Sequence, residues 1–204
     1  MIKSIIFDLG NVIVNVDSRD KHRKFAEISG KTADEIRQYF EKSIHRKNFE
    51  KGKITSYDFY KTTKNDLSID ISFGRFKILW IDKFTLNREI ADLITNLRGR
   101  YRLVLLSNTN EIHFENIINR FKILEKFDEM VLSYKAGFRK PNPMIYLSAI
   151  SKCGTFPWRC AYIDDIAEFI KAGRLLMLKS IQYENYESLL EKMEKIGIIT
   201  GENR

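Results

Sequence analysis

Four short stretches of this chain set chemically able side chains directly after apolar runs or ahead of a helix start. Ile5-Ile6-Phe7 ends on the carboxylate Asp8, the run 103–106 ends on Ser107 and Asn108, and the run 161–163 ends on Asp164 and Asp165. In the fourth, Phe138-Arg139-Lys140-Pro141-Asn142-Pro143, Lys140 stands just before a proline-led helix. If the runs are parallel strands, these residues meet in one crevice, because open parallel sheets bind ligands outside the carboxyl ends of their strands. A candidate nucleophile, hydroxyl and amide donors, a cation and a carboxylate pair suit phosphoryl transfer. A carboxylate can attack phosphorus and form an acyl phosphate that water then hydrolyses. Such catalysis is mainly positioning and charge neutralisation. Ser107 and backbone amides at the following helix start can hold phosphoryl oxygens, and Lys140 adds a fixed positive charge. Asp8, Asp164 and Asp165 offer the hard oxygens that Mg²⁺ prefers. Without a cation, an anionic nucleophile and an anionic phosphate repel each other.

The elements that must position these groups alternate. Residues 4–7, 102–106, 130–132, 161–163 and 180–183 read as strands, apolar without clean alternation, as strands covered on both faces do. Between them lie helical patterns. Leu86, Ile90, Leu93, Ile94 and Leu97 share one face, closed by Gly99, and Ile112, Ile117, Ile118 and Phe121 share another. Asn142-Pro143 opens a helix that Gly154 follows, and Leu189, Leu190, Met193 and Ile196 form a last helix stopped near Gly197. The pattern predicts an α/β fold, a Rossmann-like parallel sheet with helices on both faces. Residues 16–85 carry no strand signal. Ser18 can cap a helix bearing Phe25 and Ile28, Thr32 with Glu35 makes a capping box, and Thr55 starts a further helix. An α/β core of residues 1–15 and 86–204, with a helical cap of residues 16–85 inserted after the first strand, is the expected organisation.

The gross features exclude several classes. A chain of 204 residues, 44% hydrophobic and 30% charged, has ordinary globular composition. No apolar run is long enough to span a membrane, and the N-terminus does not read as a signal peptide, so a cytoplasmic location is expected. Two cysteines, Cys153 and Cys160, make neither a disulfide scaffold nor a zinc site alone. The net charge of +8 is spread along the chain, and its densest clusters, at 21–24 and 45–47, sit in no nucleic-acid module. The expected partner is a small phosphorylated metabolite rather than a membrane or a nucleic acid. His113 and His45 read as structural and solvated side chains, and Trp80, Tyr57 and Tyr60 as cap core.

The stretches IIFDLGNVIV, LVLLSNTN, GFRKPNP and AYIDDIAE, in that order, resemble the haloacid dehalogenase superfamily, most of whose members are Mg²⁺-dependent phosphatases. The FDLGN opening is similar to a subgroup of sugar-phosphate phosphatases and epoxide hydrolase N-terminal domains. The resemblance implies Asp8 as nucleophile and metal ligand, and the Gly10 carbonyl as a second ligand. It implies phosphate contacts from Ser107 and Asn108, and charge neutralisation by Lys140. It makes Asp164 and Asp165 the acidic pair at the metal, with Asp165 in direct contact and Asp164 in an outer role. The implied activity is hydrolysis of a small phosphate monoester, a sugar phosphate among the candidates, through an aspartyl-phosphate. The chain departs from the family at Gly10, where most members carry a second aspartate as general acid, and at Ile166 and Phe169, where small polar residues are usual. Loss of that acid typically costs ~10²- to 10⁴-fold in rate, and the apolar loop implies a less tightly placed metal. Asp17, seven residues beyond Gly10, is a poor substitute acid on this reading because it falls near the start of the cap. Two rival readings follow: a 2-haloacid dehalogenase, whose chemistry needs no metal, and a weakly active or inactive member with a binding or regulatory role.

Overall fold

A computed structural model describes residues 1–198. The expected core range runs on to residue 204, and residues 199–204 lie outside the described residues. The strands are β1 (Ser4–Phe7), β2 (Val14–Asp17), β3 (Lys83–Leu86), β4 (Arg102–Ser107), β5 (Glu129–Leu132), β6 (Cys160–Asp164) and β7 (Lys179–Gln182). Five of them form a parallel sheet in the order β5-β4-β1-β6-β7. Helices α1 (Arg19–Ser29), α2 (Ala33–Lys42), α3 (Ile44–Phe49), α4 (Ser56–Asp66) and α5 (Phe73–Trp80) lie between β2 and β3. Helices α6 (Arg88–Leu97), α7 (Glu111–Arg120), α8 (Ser133–Ala136), α9 (Pro143–Cys153), α10 (Ala167–Leu175) and α11 (Tyr186–Lys195) follow in the α/β part.

The missing alternation in the sheet has a direct cause. Successive strand residues point to opposite faces, and here both faces are covered. Ile5, Phe7, Leu103, Leu105, Ala161 and Ile163 pack into one apolar layer with residues of α6 and α11. Ile6, Val104, Leu106 and Tyr162 pack into the other, with Tyr146 and Ala149 of α9 and Ile170 of α10. β1 is central and all four of its residues are buried. Phe7 pairs with both Leu105 and Ile163, and the Asp8 N–H donates to the Ile163 carbonyl at 2.9 Å. The register therefore brings Asp8, Ser107 and Asp164 to one end of the sheet.

Two expectations are corrected. Residues 16–85 do contain strand: β2 and β3 pair antiparallel, from Val14 with Leu86 to Asp17 with Lys83. Four residues of alternation are too few to read as a strand, and the partners lie almost seventy residues apart. Leu86 accordingly belongs to β3, and α6 begins only after Asn87, whose side chain accepts from the Ile90 N–H. Ser18 occupies the N-cap position of α1 without a side-chain capping bond, whereas the Thr32–Glu35 capping box forms as expected.

Helices α1–α5 have their own core. Phe40 and Phe59 approach Trp80 at 4.9 and 4.8 Å between ring centroids, both edge to face, an arrangement worth ~0.5–1.5 kcal/mol per pair beyond area burial. Ile112 of α7 joins this cluster from the α/β part. Gly52 (φ 63°) stands so close to the Tyr134 carbonyl that a Cβ would come within 2.0 Å of its oxygen. The helical unit is thus seated directly on the carboxyl edge of the sheet.

Candidate active site

The sheet edge and one loop gather the charged residues. Lys140 precedes α9, and its ammonium reaches back under the strand ends, only 2% exposed. It meets Asp8 Oδ1 at 2.7 Å, Asp164 Oδ2 at 2.6 Å and the Leu106 carbonyl at 3.3 Å. An ammonium has three N–H donors, so its capacity is filled. The Lys140 backbone is clamped as well: its N–H donates to Asn108 Oδ1 (2.8 Å), and Asn108 Nδ2 donates to its carbonyl (3.1 Å). The Asn108 side chain, expected at the phosphate, is therefore engaged in placing the lysine. Asp164 is held from every side, by Lys140, by the Tyr162 hydroxyl one strand pleat away, and by the Ile166 N–H at 2.9 Å on Oδ1. Apolar Ile166 does not loosen this loop at Asp164, since the contact is made by the backbone.

Asp165 is only half-buried and accepts from Asn11 Nδ2 at 3.2 Å. Asn11 adopts φ 54°, and its side-chain oxygen accepts from the Val16 N–H, so this residue links the turn after β1 to the acidic pair. Asp8, Asp164 and Asp165 each offer a carboxylate oxygen within 4.8 Å of the others. Three carboxylates against one ammonium leave an excess of negative charge, and the all-oxygen donor set fits a hard divalent cation. Burial pushes the Asp8 carboxyl up to about 7 against the pull of Lys140. Burial works against the Lys140 ammonium, but the Asp8 and Asp164 carboxylates outweigh it and hold it above its ordinary value. Burial also raises Asp165.

Ser107 ends β4, buried beside a cavity of about 220 Å³ that Gly10, Asn108 and Thr109 also line. The Ser133 hydroxyl accepts from the Thr109 N–H and donates to the Thr109 carbonyl, and Asn110 caps α7, so this loop is fixed. A second cavity of about 210 Å³ is lined by Asp8, Asn11, Lys140 and Asp165. Gly10, Arg46, Glu50 and Asn108 border both spaces. Arg46 bonds Glu50 at 2.9 Å, and Glu50 meets Arg139 at 2.6 Å, tying α3 to the loop that carries Lys140. Gly10 has an ordinary backbone, and a Cβ there would meet only Val16 Cγ2 at 3.6 Å. Asp17 is bonded to the Arg19 guanidinium and backbone N–H, which hold its carboxyl far below the ordinary range and make it a poor acid.

The far wall of the first cavity carries residues that motif reading did not reach. Lys21 of α1 pairs with Asp82 at 2.8 Å, both buried. Burial lowers the Lys21 ammonium. Burial opposes ionisation of Asp82, but the Lys21 charge outweighs it and holds the carboxyl low. His113 Nε2 lies 2.9 Å from the Trp80 carbonyl, and burial pushes the ring down to about 4. The one local signal for Lys21 was weak: it stands four residues before Phe25, on the helix face that is buried, inside a run of basic residues that otherwise reads as solvated. Asp82 had none.

Residues 2–176 match the haloacid dehalogenase-like hydrolases. The chain belongs to that family. It is 29% identical over 193 residues to a D-ribitol-5-phosphate phosphatase of Bacteroides thetaiotaomicron, covering 91% of this chain and 93% of the relative. It is 26% identical over 226 residues to a glyceraldehyde 3-phosphate phosphatase of Methanothermobacter thermautotrophicus, covering 97% and 93%. A haloacid dehalogenase family enzyme of Bacteroides thetaiotaomicron, solved with magnesium and inorganic phosphate, superposes with a TM-score of 0.82 at 26% identity, over 93% of this chain and 99% of that one. These relatives place the hydrolase on the phosphatase side of its family. Among the described residues no helix is long and apolar enough to cross a membrane.

Proposed function

We propose that the protein hydrolyses a small phosphate monoester by way of an aspartyl-phosphate on Asp8. The observation that carries this reading is the buried Asp8–Lys140–Asp164 cluster with Asp165 beside it: Asp8, Lys140 and Asp165 line one cavity, which shares Gly10 and Asn108 with the cavity that Ser107 borders. On this reading Asp8 Oδ attacks phosphorus, the phosphorus–oxygen bond of the ester breaks, and the leaving oxygen takes a proton from water and departs as the alcohol. Water then cleaves the acyl phosphate, returning the Asp8 carboxylate and inorganic phosphate. Lys140 holds Asp8 in place, favours its ionised form against the effect of burial, and opposes the charge on the phosphoryl oxygens. Ser107 and the backbone at Asn108 receive those oxygens, while the Asn108 side chain holds Lys140. Asp165, with Asp8 and the Gly10 carbonyl, would hold Mg²⁺, as the magnesium-bound relative supports, and Asp164 stands behind them. The ion supplies neutralisation of the anionic phosphate and nucleophile. The helical unit of α1–α5 serves as a cap that covers the reacting group and excludes water, as lids do. A dehalogenase reading gives no task to three converging carboxylates, so the phosphatase reading is preferred.

The test is phosphate release from a panel of small esters, with Mg²⁺ or EDTA, by wild type and Asp8→Asn. The expected result is turnover that requires Mg²⁺ and falls on the order of 10⁴-fold or more in Asp8→Asn, as loss of a covalent nucleophile does. Equal release by both enzymes on every ester would overturn the reading.

A further inference from the structure

The chemistry at Asp8 leaves the far wall of the first cavity unexplained. That wall holds the Lys21–Asp82 ion pair, each side chain 6% exposed, with Ser18, Trp80 and His113 around it. Lys21 comes from the first helix of the helical unit and Asp82 from the chain just after its last helix, so the two ends of that unit build the pair. Stability alone gives no reason for it, because replacing a buried ion pair by apolar groups of similar volume is often neutral or stabilising. Its hydrogen bonding is also incomplete. The Lys21 ammonium has three donors, and it faces one carboxylate and the flat of the Trp80 ring, 4.4 Å away. The Asp82 carboxylate can accept about four hydrogen bonds and is met by the ammonium at 2.8 Å and by the Ser18 hydroxyl, so it keeps room for a further donor, and the buried Trp80 indole N–H has no acceptor. His113 does not fill the gap. The Trp80 carbonyl can only accept, so His113 Nε2 carries the proton and spends it there, leaving Asp82 Oδ2 at 3.5 Å.

Spare donors beside spare acceptors, with no net charge, match a particular kind of ligand. A hydroxyl accepts from the ammonium and donates to the carboxylate at the same time. A second phosphate or a carboxylate would meet Asp82 without a compensating excess of cations, and an alkyl group would leave every one of these valences unmet. The space, about 220 Å³ in all, is below the ~300 Å³ at which drug-sized pockets begin. We propose that Lys21 and Asp82 form a hydroxyl-reading subsite, and that the leaving group is a small polyhydroxylated alcohol. The phosphate end of this assignment rests on the phosphatase reading, and the hydroxyl end rests on the cavity wall.

The test compares kcat/KM for D-ribitol 5-phosphate and for ethyl phosphate, whose leaving group has no further hydroxyl. It uses wild type, Asp82→Asn and the doubly apolar Lys21→Met/Asp82→Leu variant, which removes both charges together and is expected to melt at or above the wild-type temperature. The wild type is expected to prefer the polyol ester. That preference is expected to fall at least tenfold in both variants, since a lost charge-assisted hydrogen bond corresponds to roughly 10- to 150-fold. Calorimetric titration of Asp8→Asn with the same two esters repeats the comparison as affinity, with and without the subsite changes. A preference ratio within threefold of wild type in the folded double variant overturns the proposal, as does a wild type without preference for the polyol ester. Failure of every ester to turn over, with the affinity preference intact, overturns the phosphatase reading and supports the subsite.

Discussion

Two buried lysines face carboxylates on the same side of the sheet, and their surroundings differ. Lys140 has three acceptors for three N–H groups, its backbone is clamped by Asn108, and its partner Asp164 is itself held by Tyr162 and Ile166. Lys21 has one carboxylate and the face of an indole. A filled network fixes positions, which favours chemistry at a chosen atom because preorganised charge needs no rearrangement during reaction. An unfilled one keeps valences for something that arrives from outside. The filled cluster hangs from the central strand and its neighbours. The unfilled one spans the junction between the helical unit and the sheet edge, where a leaving group would have to fit.

Charge removal breaks the comparison most sharply. Lys140→Met leaves Asp8 and Asp164 buried without their cation and is expected to cost about 3–5 kcal/mol, read from denaturant midpoints. Lys21→Met strands a single carboxylate, Asp82, so a smaller loss is expected. Adding Asp82→Leu should restore the midpoint to wild type or above it. No comparable rescue of Lys140→Met is expected from Asp164→Leu, because Asp8 stays stranded. Equal rescue at both clusters would mean that the difference in hydrogen bonding has no energetic weight.

A smaller effect comes from His113, which borders the unfilled cluster. Its ring is pushed down to about 4 by burial, while Asp82 pulls the other way and Lys21 adds to the depression. The unfolded chain takes up its proton near 6.5, so between pH 6.5 and 4 the unfolded state binds more protons than the native state. Stability is then lost as pH falls through that window, by about 3 kcal/mol over the whole of it. Chemical denaturation of wild type and His113→Gln across pH 4–7 isolates the term. The expected outcome is a shallower pH slope in the variant, and parallel slopes would remove His113 as a titrating element of the wall.

The two clusters were also unequally legible in the sequence. Asp8, Ser107 and Asp164 sit at strand ends, and period and breaks alone bring strand ends together once the sheet is parallel. Lys140 was found from its place before a proline-led helix. Roles within the cluster were less accessible. That the Asn108 amide grips the Lys140 backbone depends on a loop conformation, and that Tyr162 supports Asp164 follows only from their sharing one strand face. The β2–β3 ribbon escaped because each strand is four residues long and its partner lies far along the chain. Lys21 was hidden in a run of basic residues that reads as a solvated face, and Asp82 acquires meaning only when the helical unit closes back on α1. Distant pairing of short segments is what local pattern cannot carry.

The last prediction restores the acid that the family pattern leads one to expect. Gly10 borders both cavities, has ordinary backbone geometry, and would place a Cβ at 3.6 Å from Val16 Cγ2, which is ordinary contact. The absence of a side chain here is therefore not imposed by backbone or packing. Gly10→Asp is expected to fold and to raise kcat about 10²-fold for esters with poor leaving groups, the lower end of what general acid catalysis provides. Esters whose alcohol leaves readily should gain little, because their departing oxygen needs no proton. The measurement is the dependence of kcat on leaving-group pKa in the two enzymes, which should be shallower in the variant. Parallel lines would show that the filled cluster, together with whatever Lys21 and Asp82 do to the leaving group, already supplies all the help that departure requires. The division between a chemical cluster and a recognition cluster would then be too strict, since the wall that reads the alcohol would also be easing its exit.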